Sequence, residues 1–235
     1  MCSEMCIRDR VRTILCCVEE GCIYLNSVDL LYCIVLKDGA FSFRESDGAW
    51  SAQYRNESGY GSGTTPSLMG DDPEKDRFVV IGDGDDVVNI TLFWRDLIPD
   101  DWKTLPNAPS RRIAGLGPAH MGDPAKKSIQ TEQSITVAGY GAMTVNNEPS
   151  SLPDWLPEQG SRLLSFFLGH HPNFTPYGIH KYEWDPEVRE LRNEWVNTDI
   201  SSPNSVPYVA MGSRTVYTCG TRNGKWTIEV LDWST

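Results

Sequence analysis

Pro207-Tyr208-Val209-Ala210-Met211-Gly212, Arg214-Thr215-Val216-Tyr217-Thr218-Cys219-Gly220 and Trp226-Thr227-Ile228-Glu229-Val230-Leu231-Asp232-Trp233 decide how this chain is read. Short runs rich in β-branched and aromatic residues alternate with Gly, Asn and Lys turns, the pattern of an antiparallel meander. The same order occurs earlier. Pro66-Ser67-Leu68-Met69-Gly70 leads through an acidic insert to Arg77-Phe78-Val79-Val80-Ile81-Gly82 and then Asn89-Ile90-Thr91-Leu92-Phe93-Trp94. Arg77 and Arg214 are offset by 214 − 77 = 137 residues, roughly three units of the 40–50 residues that one propeller blade uses.

Weaker copies lie between and before these two. Ser134 to Asn146 reads as two short strands around a glycine turn, and Cys22–Asn26 with Leu31–Leu36 flank another turn before Lys37-Asp38-Gly39. A small antiparallel sheet cannot bury both faces alone, so repeated units of this kind stack. Helical periodicity is nearly absent. Asp185 to Val196 is the one helix-compatible stretch. It is read as the turn and return strand of a hairpin, with Tyr182, Trp184 and Trp195 as cross-strand aromatic partners. Leu97 to Ile129 is less regular and is expected to be a loop between blades.

The chain has 235 residues, a net charge of −11, and 23% charged against 40% hydrophobic residues, a folded composition. With no basic patch, this acidity argues against nucleic-acid binding. The longest apolar run, Leu30 to Leu36, is far short of the roughly 20 residues of a membrane span. Residues 1–10, MCSEMCIRDR, lack the apolar core of a signal peptide. Met5 to Arg10 resembles the translation of a transposase end sequence used in sequencing libraries, so 1–10 are read as a scar and 11–235 as a fragment cut at both ends.

The Pro-bearing strand, the Val-Tyr-x-x-Gly strand and the Trp-x-Ile-x-x-Leu-Asp-Trp strand resemble the quinoprotein-like β-propeller superfamily. Val230-Leu231-Asp232-Trp233-Ser234-Thr235 and Val35-Leu36-Lys37-Asp38-Gly39 resemble its blade endings, the second without the Thr. The resemblance covers about residues 21–100 and 178–235. It implies an all-β partial β-propeller of four-stranded antiparallel blades, about four to five of them in an incomplete ring. It also implies export to the periplasm or outside the cell, and either a dehydrogenase using pyrroloquinoline quinone or a non-catalytic propeller. No vicinal Cys pair can be assigned to quinone stacking, because Cys16-Cys17 lie beside the suspected scar.

The expected function is therefore small-ligand or substrate binding at the channel mouth, where the starts of inner strands converge. The alternatives are the quinone enzyme and a protein-interaction scaffold. Thr64-Thr65-Pro66, Glu132-Gln133-Ser134 and Asn204-Ser205-Val206 mark those starts. Arg111 and Arg112, adjacent in an acidic chain, could hold a carboxylate or phosphate. His120 and Asp123 have the spacing of a base and its orienter. His170, His171 and His180 could offer zinc two imidazoles beside Glu183 or Asp185. Adjacent His on a strand point apart, so a polar loop at the channel mouth is the reading preferred, with no metal assigned. Asp83-Gly84-Asp85-Asp86 reads as an acidic hairpin turn, since the twelfth position of a calcium loop would be Trp94. Cys22 and Cys33 read as buried thiols.

Overall fold

The computed structural model describes residues 16–19, 21–149, 151, 155, 171, 174–203 and 205–234. Sixteen strands form four antiparallel sheets, with a single short 3-10 turn at Glu45–Asp47 among these residues. The first sheet holds β1 (Cys16–Glu19), β2 (Cys22–Asn26) and β3 (Leu30–Lys37), with β4 (Ala40–Ser42) and β5 (Trp50–Gln53) both pairing with β3. The second runs β6 (Ser67–Met69), β7 (Phe78–Gly82), β8 (Asn89–Trp94) and β9 (Ile113–Pro118). The third runs β10 (Thr136–Ala138), β11 (Gly141–Val145), β12 (Ile179–Asp185) and β13 (Glu190–Asn197). The fourth has β14 (Tyr208–Ala210), β15 (Thr215–Arg222) and β16 (Lys225–Asp232). No described helix is long and apolar enough to cross a membrane.

The sheets pack face to face in chain order, and period-two alternation decides which side chain goes to which junction. In the second sheet Phe78, Val80, Ile90, Leu92 and Trp94 join Ile135, Ala142, Tyr182 and Trp184 of the third. Val79, Ile81, Phe93 and Ile113 turn the other way onto Tyr24, Leu31, Cys33 and Ala52 of the first. Both faces of β7 and β8 are therefore buried, and apolar except for Asn89 and Thr91 of β8. Met143, Val145 and Ile179 of the third sheet meet Val216 and Trp233 at the fourth. On the far face of the fourth sheet Tyr208, Tyr217, Ile228 and Val230 are exposed. The short first strands of successive sheets touch, β6 with β10 and β10 with β14.

Part of the stretch expected to be a loop, 97–129, is strand β9. Its Ile-Ala-Gly-Leu-Gly-Pro sequence lacks strand alternation because its small residues admit the next sheet. A methyl on Gly115 would lie 2.9 Å from Leu191 Cβ, and one on Gly117 2.9 Å from the Tyr182 ring. The hairpin at 185–196 forms as β12 and β13, but the expected aromatic pairs do not. A bulge between Lys181 and Tyr182 sets Trp195 opposite Lys181 and Trp184 opposite Leu191. Trp184 then packs on Phe78 and Trp94, while Trp195 turns to the fourth sheet and donates to the Trp233 carbonyl at 3.3 Å.

Candidate functional site

The β7–β8 turn is far more than a solvated acidic corner. Asp83 and Asp85 are buried. Asp83 Oδ1 accepts from the backbone N–H of Asn89 at 2.8 Å, and Oδ2 from Asn89 Nδ2 at 2.7 Å. Burial pushes the Asp83 carboxyl up to about 7; the Asn89 hydrogen bonds oppose this and the charge of Asp85 adds to it. Asp85 Oδ2 accepts from Arg55 Nε and, at 3.2 Å, from Asn89 Nδ2. Arg55 also donates to the Asn107 carbonyl at 3.1 Å. Gln130 Nε2 closes the turn on the carbonyls of Asp85 and Asp86.

On this buried frame sits a cleft of about 790 Å³, lined by Arg55, Glu57, Asp85, Asp86, Asn89 and Lys127 with apolar Leu116 and Pro118. Arg55 is already neutralised by Asp85 and Glu57. Asp86 and Lys127 are exposed and form no ion pair within 4 Å among the described residues, so the cleft presents opposite charges to a ligand.

The sequence candidates do not share one pocket. Arg111 and Arg112 precede β9, whereas His120 and Asp123 follow it, so the strand puts them about 20 Å apart at its usual rise. Arg111 grips the carbonyls of Trp102, Pro99 and Asp100. Arg112 grips those of Trp94 and Asp96, both at 2.8 Å, and lies over the Trp50 ring. Their donors brace the 95–112 loop. Asp123 does not orient His120: its carboxylate accepts from the Ala125 N–H at 3.0 Å.

Glu132 and Gln133 lie just before β10. Glu132 donates its N–H to Asn147 Oδ1 at 2.8 Å, and its carboxylate approaches Gly63. Gln133 Nε2 and Asn147 Nδ2 both donate to the Pro203 carbonyl. Thr64 is fully buried and accepts the Gly82 N–H. Apart from Gln133 Oε1, which has no partner among the described residues, these groups are engaged by one another and by backbone, an arrangement that does not fit a planar quinone. Ser205 joins Ser202 and Thr218 in a hydroxyl cluster, and Asn204 lies outside the described residues.

His180, on β12, is 2% exposed and stacks on Tyr182 with centroids 4.7 Å apart. Neither ring nitrogen has a partner among the described residues. Burial drives it down to about 4; Asn193 pulls the other way without meeting hydrogen-bond geometry at either nitrogen, and His120 adds to the fall. His171 is exposed and packs on Phe174, and His170 lies outside the described residues. Glu183 pairs with Lys181, and Asp185 with Arg192. Among the described residues no three His, Cys, Asp or Glu gather as a metal site.

Sequence reading missed Arg55, Asp83 and Lys127. The one available signal was Asn89 six residues after Asp83, a donor able to follow a carboxylate into burial. No family model matches the chain. An uncharacterized protein of Archaeoglobus fulgidus (strain ATCC 49558 / DSM 4304 / JCM 9628 / NBRC 100126 / VC-16) is 40% identical over 191 residues, which is 78% of this chain and 36% of that protein. The chain thus spans about a third of the length of this relative.

Proposed function

We propose that the four sheets are consecutive blades of an incomplete β-propeller, and that the unit is a binding module for a small zwitterion. The propeller reading is supported by the repeated order of short strands touching strand to strand while successive sheets stack. The binding reading rests on one observation, the 790 Å³ cleft braced by the buried Asp83, Asp85 and Arg55 network. That volume suits a small molecule. Asp86 and Glu57 would take an ammonium and Lys127 a carboxylate, while Leu116 and Pro118 give an apolar wall. A rigid floor limits the ordering cost of binding.

Isothermal titration of the purified chain with free α-amino acids tests this. Some member binds at millimolar or tighter affinity, and Lys127→Glu or Asp86→Lys each weakens it about tenfold, the size of one charged contact. Both positions are exposed, so the fold is retained. Absence of binding by every amino acid, or affinity untouched by both substitutions, refutes the reading.

A further inference from the structure

A second cavity, of about 620 Å³, lies at the opposite end of β9, against the 95–112 loop. Cys22, Cys33, Trp50, Arg95, Arg111 and Arg112 are among its walls. Cys22 is opposite Val35 and Cys33 opposite Tyr24 on neighbouring strands, so the two thiols are diagonal neighbours on one face. Their sulfurs are 3.2 Å apart. Cys33 is buried, and Cys22 is half-buried at the cavity wall.

We propose that Cys22 and Cys33 form a dithiol site that reacts with carboxylate-bearing low-molecular-weight disulfides entering this cavity. The Cys22 thiolate attacks one sulfur of the small disulfide; the S–S bond breaks, and the departing thiolate takes up the proton that Cys22 released. Cys33 then loses its proton, attacks the Cys22 sulfur and expels the second small thiolate, which takes that proton. Two protein thiols are oxidised to one disulfide, and one small disulfide is reduced to two thiols. Accessibility makes Cys22 the attacking sulfur. Burial, with Cys22 alongside, pushes Cys33 up to about 12, and Arg112 opposes that rise. Cys33 therefore resolves through proximity rather than acidity. Arg111 and Arg112 are held rigid by backbone carbonyls, and with Arg95 they outnumber the carboxylates of Glu45 and Asp96 in the same wall, so the excess positive charge attracts a carboxylate.

The test incubates the reduced full chain with oxidised glutathione and maps thiols by peptide mass spectrometry. The expected product is a linked Cys22–Cys33 peptide with two glutathione thiols released per link. Cys33→Ser retains glutathione on Cys22, with Cys33→Ala as the alternative if the buried hydroxyl unfolds the chain. Cys22→Ser leaves Cys33 unmodified. At low salt, Cys22 reacts several-fold faster with oxidised glutathione than with the dication cystamine, each rate normalised to exposed Cys219 in the same molecules, and the difference shrinks at high salt. Glutathione persisting on Cys22 of the natural sequence, Cys33 reacting in Cys22→Ser, an inert Cys22, or equal normalised rates for the two disulfides would overturn the proposal.

Discussion

Replacing His180 with Phe should remove an acid-sensitive weakness at a calculable pH. In the unfolded chain this imidazole protonates near 6.5; in the folded protein burial lowers that to about 4. Between these values the unfolded state binds the extra proton, so its contribution to stability is complete above about pH 6.5 and is lost as pH falls toward 4. The gap is worth roughly 3 kcal/mol at about 1.4 kcal/mol per pH unit, with roughly 2 kcal/mol already lost at pH 4.5. Phe keeps the contact with Tyr182 and breaks no hydrogen bond to a described residue, since neither ring nitrogen has one. Urea denaturation of both proteins at pH 7 and 4.5 measures the difference, and the other titrating groups cancel to first order. The His180→Phe variant should gain about 2 kcal/mol on the natural sequence between the two pH values. A difference constant within about 0.5 kcal/mol would show that His180 charges as freely in the folded chain as in the unfolded one, and the reasoning fails.

Asp83 has the opposite sign. Its folded value near 7 exceeds the unfolded 3.8, so its contribution falls as pH rises from about 4 to 7, and Asp83→Asn should flatten that limb in the same urea series. Gly220→Ala would place a methyl carbon 1.9 Å from the Ser201 carbonyl oxygen; the forced shift should cost about 3 kcal/mol or more, read as a lowered urea midpoint. Trp184→Ala empties the centre of the Phe78, Trp94 and Trp102 cluster and frees Asp76 Oδ2 from its indole N–H. It should cost about 3–5 kcal/mol by thermal or urea unfolding.

Strands β7, β8 and β16 were legible because alternation and turn residues are local signals. β9 was not, because its glycines serve Leu191 and Tyr182 of another sheet and leave no local pattern. That one strand also decided the site, since the length of Ile113–Pro118 separates Arg111 and Arg112 from His120. Trp195 shows the same limit within a hairpin, where a single bulge redirected it to a different junction. Glu132 and Gln133 were read as polar residues at a strand start, and their partners, Asn147 and Pro203, come from later parts of the chain that no local pattern links to them. Burial of Asp83 had only Asn89 to signal it, because an Asp-Gly turn has the same composition whether wet or dry.

Five of the eight indoles mark the sheet junctions. Trp50 reports on the contact of the first and second sheets, Trp94 and Trp184 on the second and third, and Trp195 and Trp233 on the third and fourth. A stack whose layers touch only their neighbours can peel from its ends. The molecule therefore carries its own optical tally of how far any such unzipping has gone, legible by emission wavelength without an added dye.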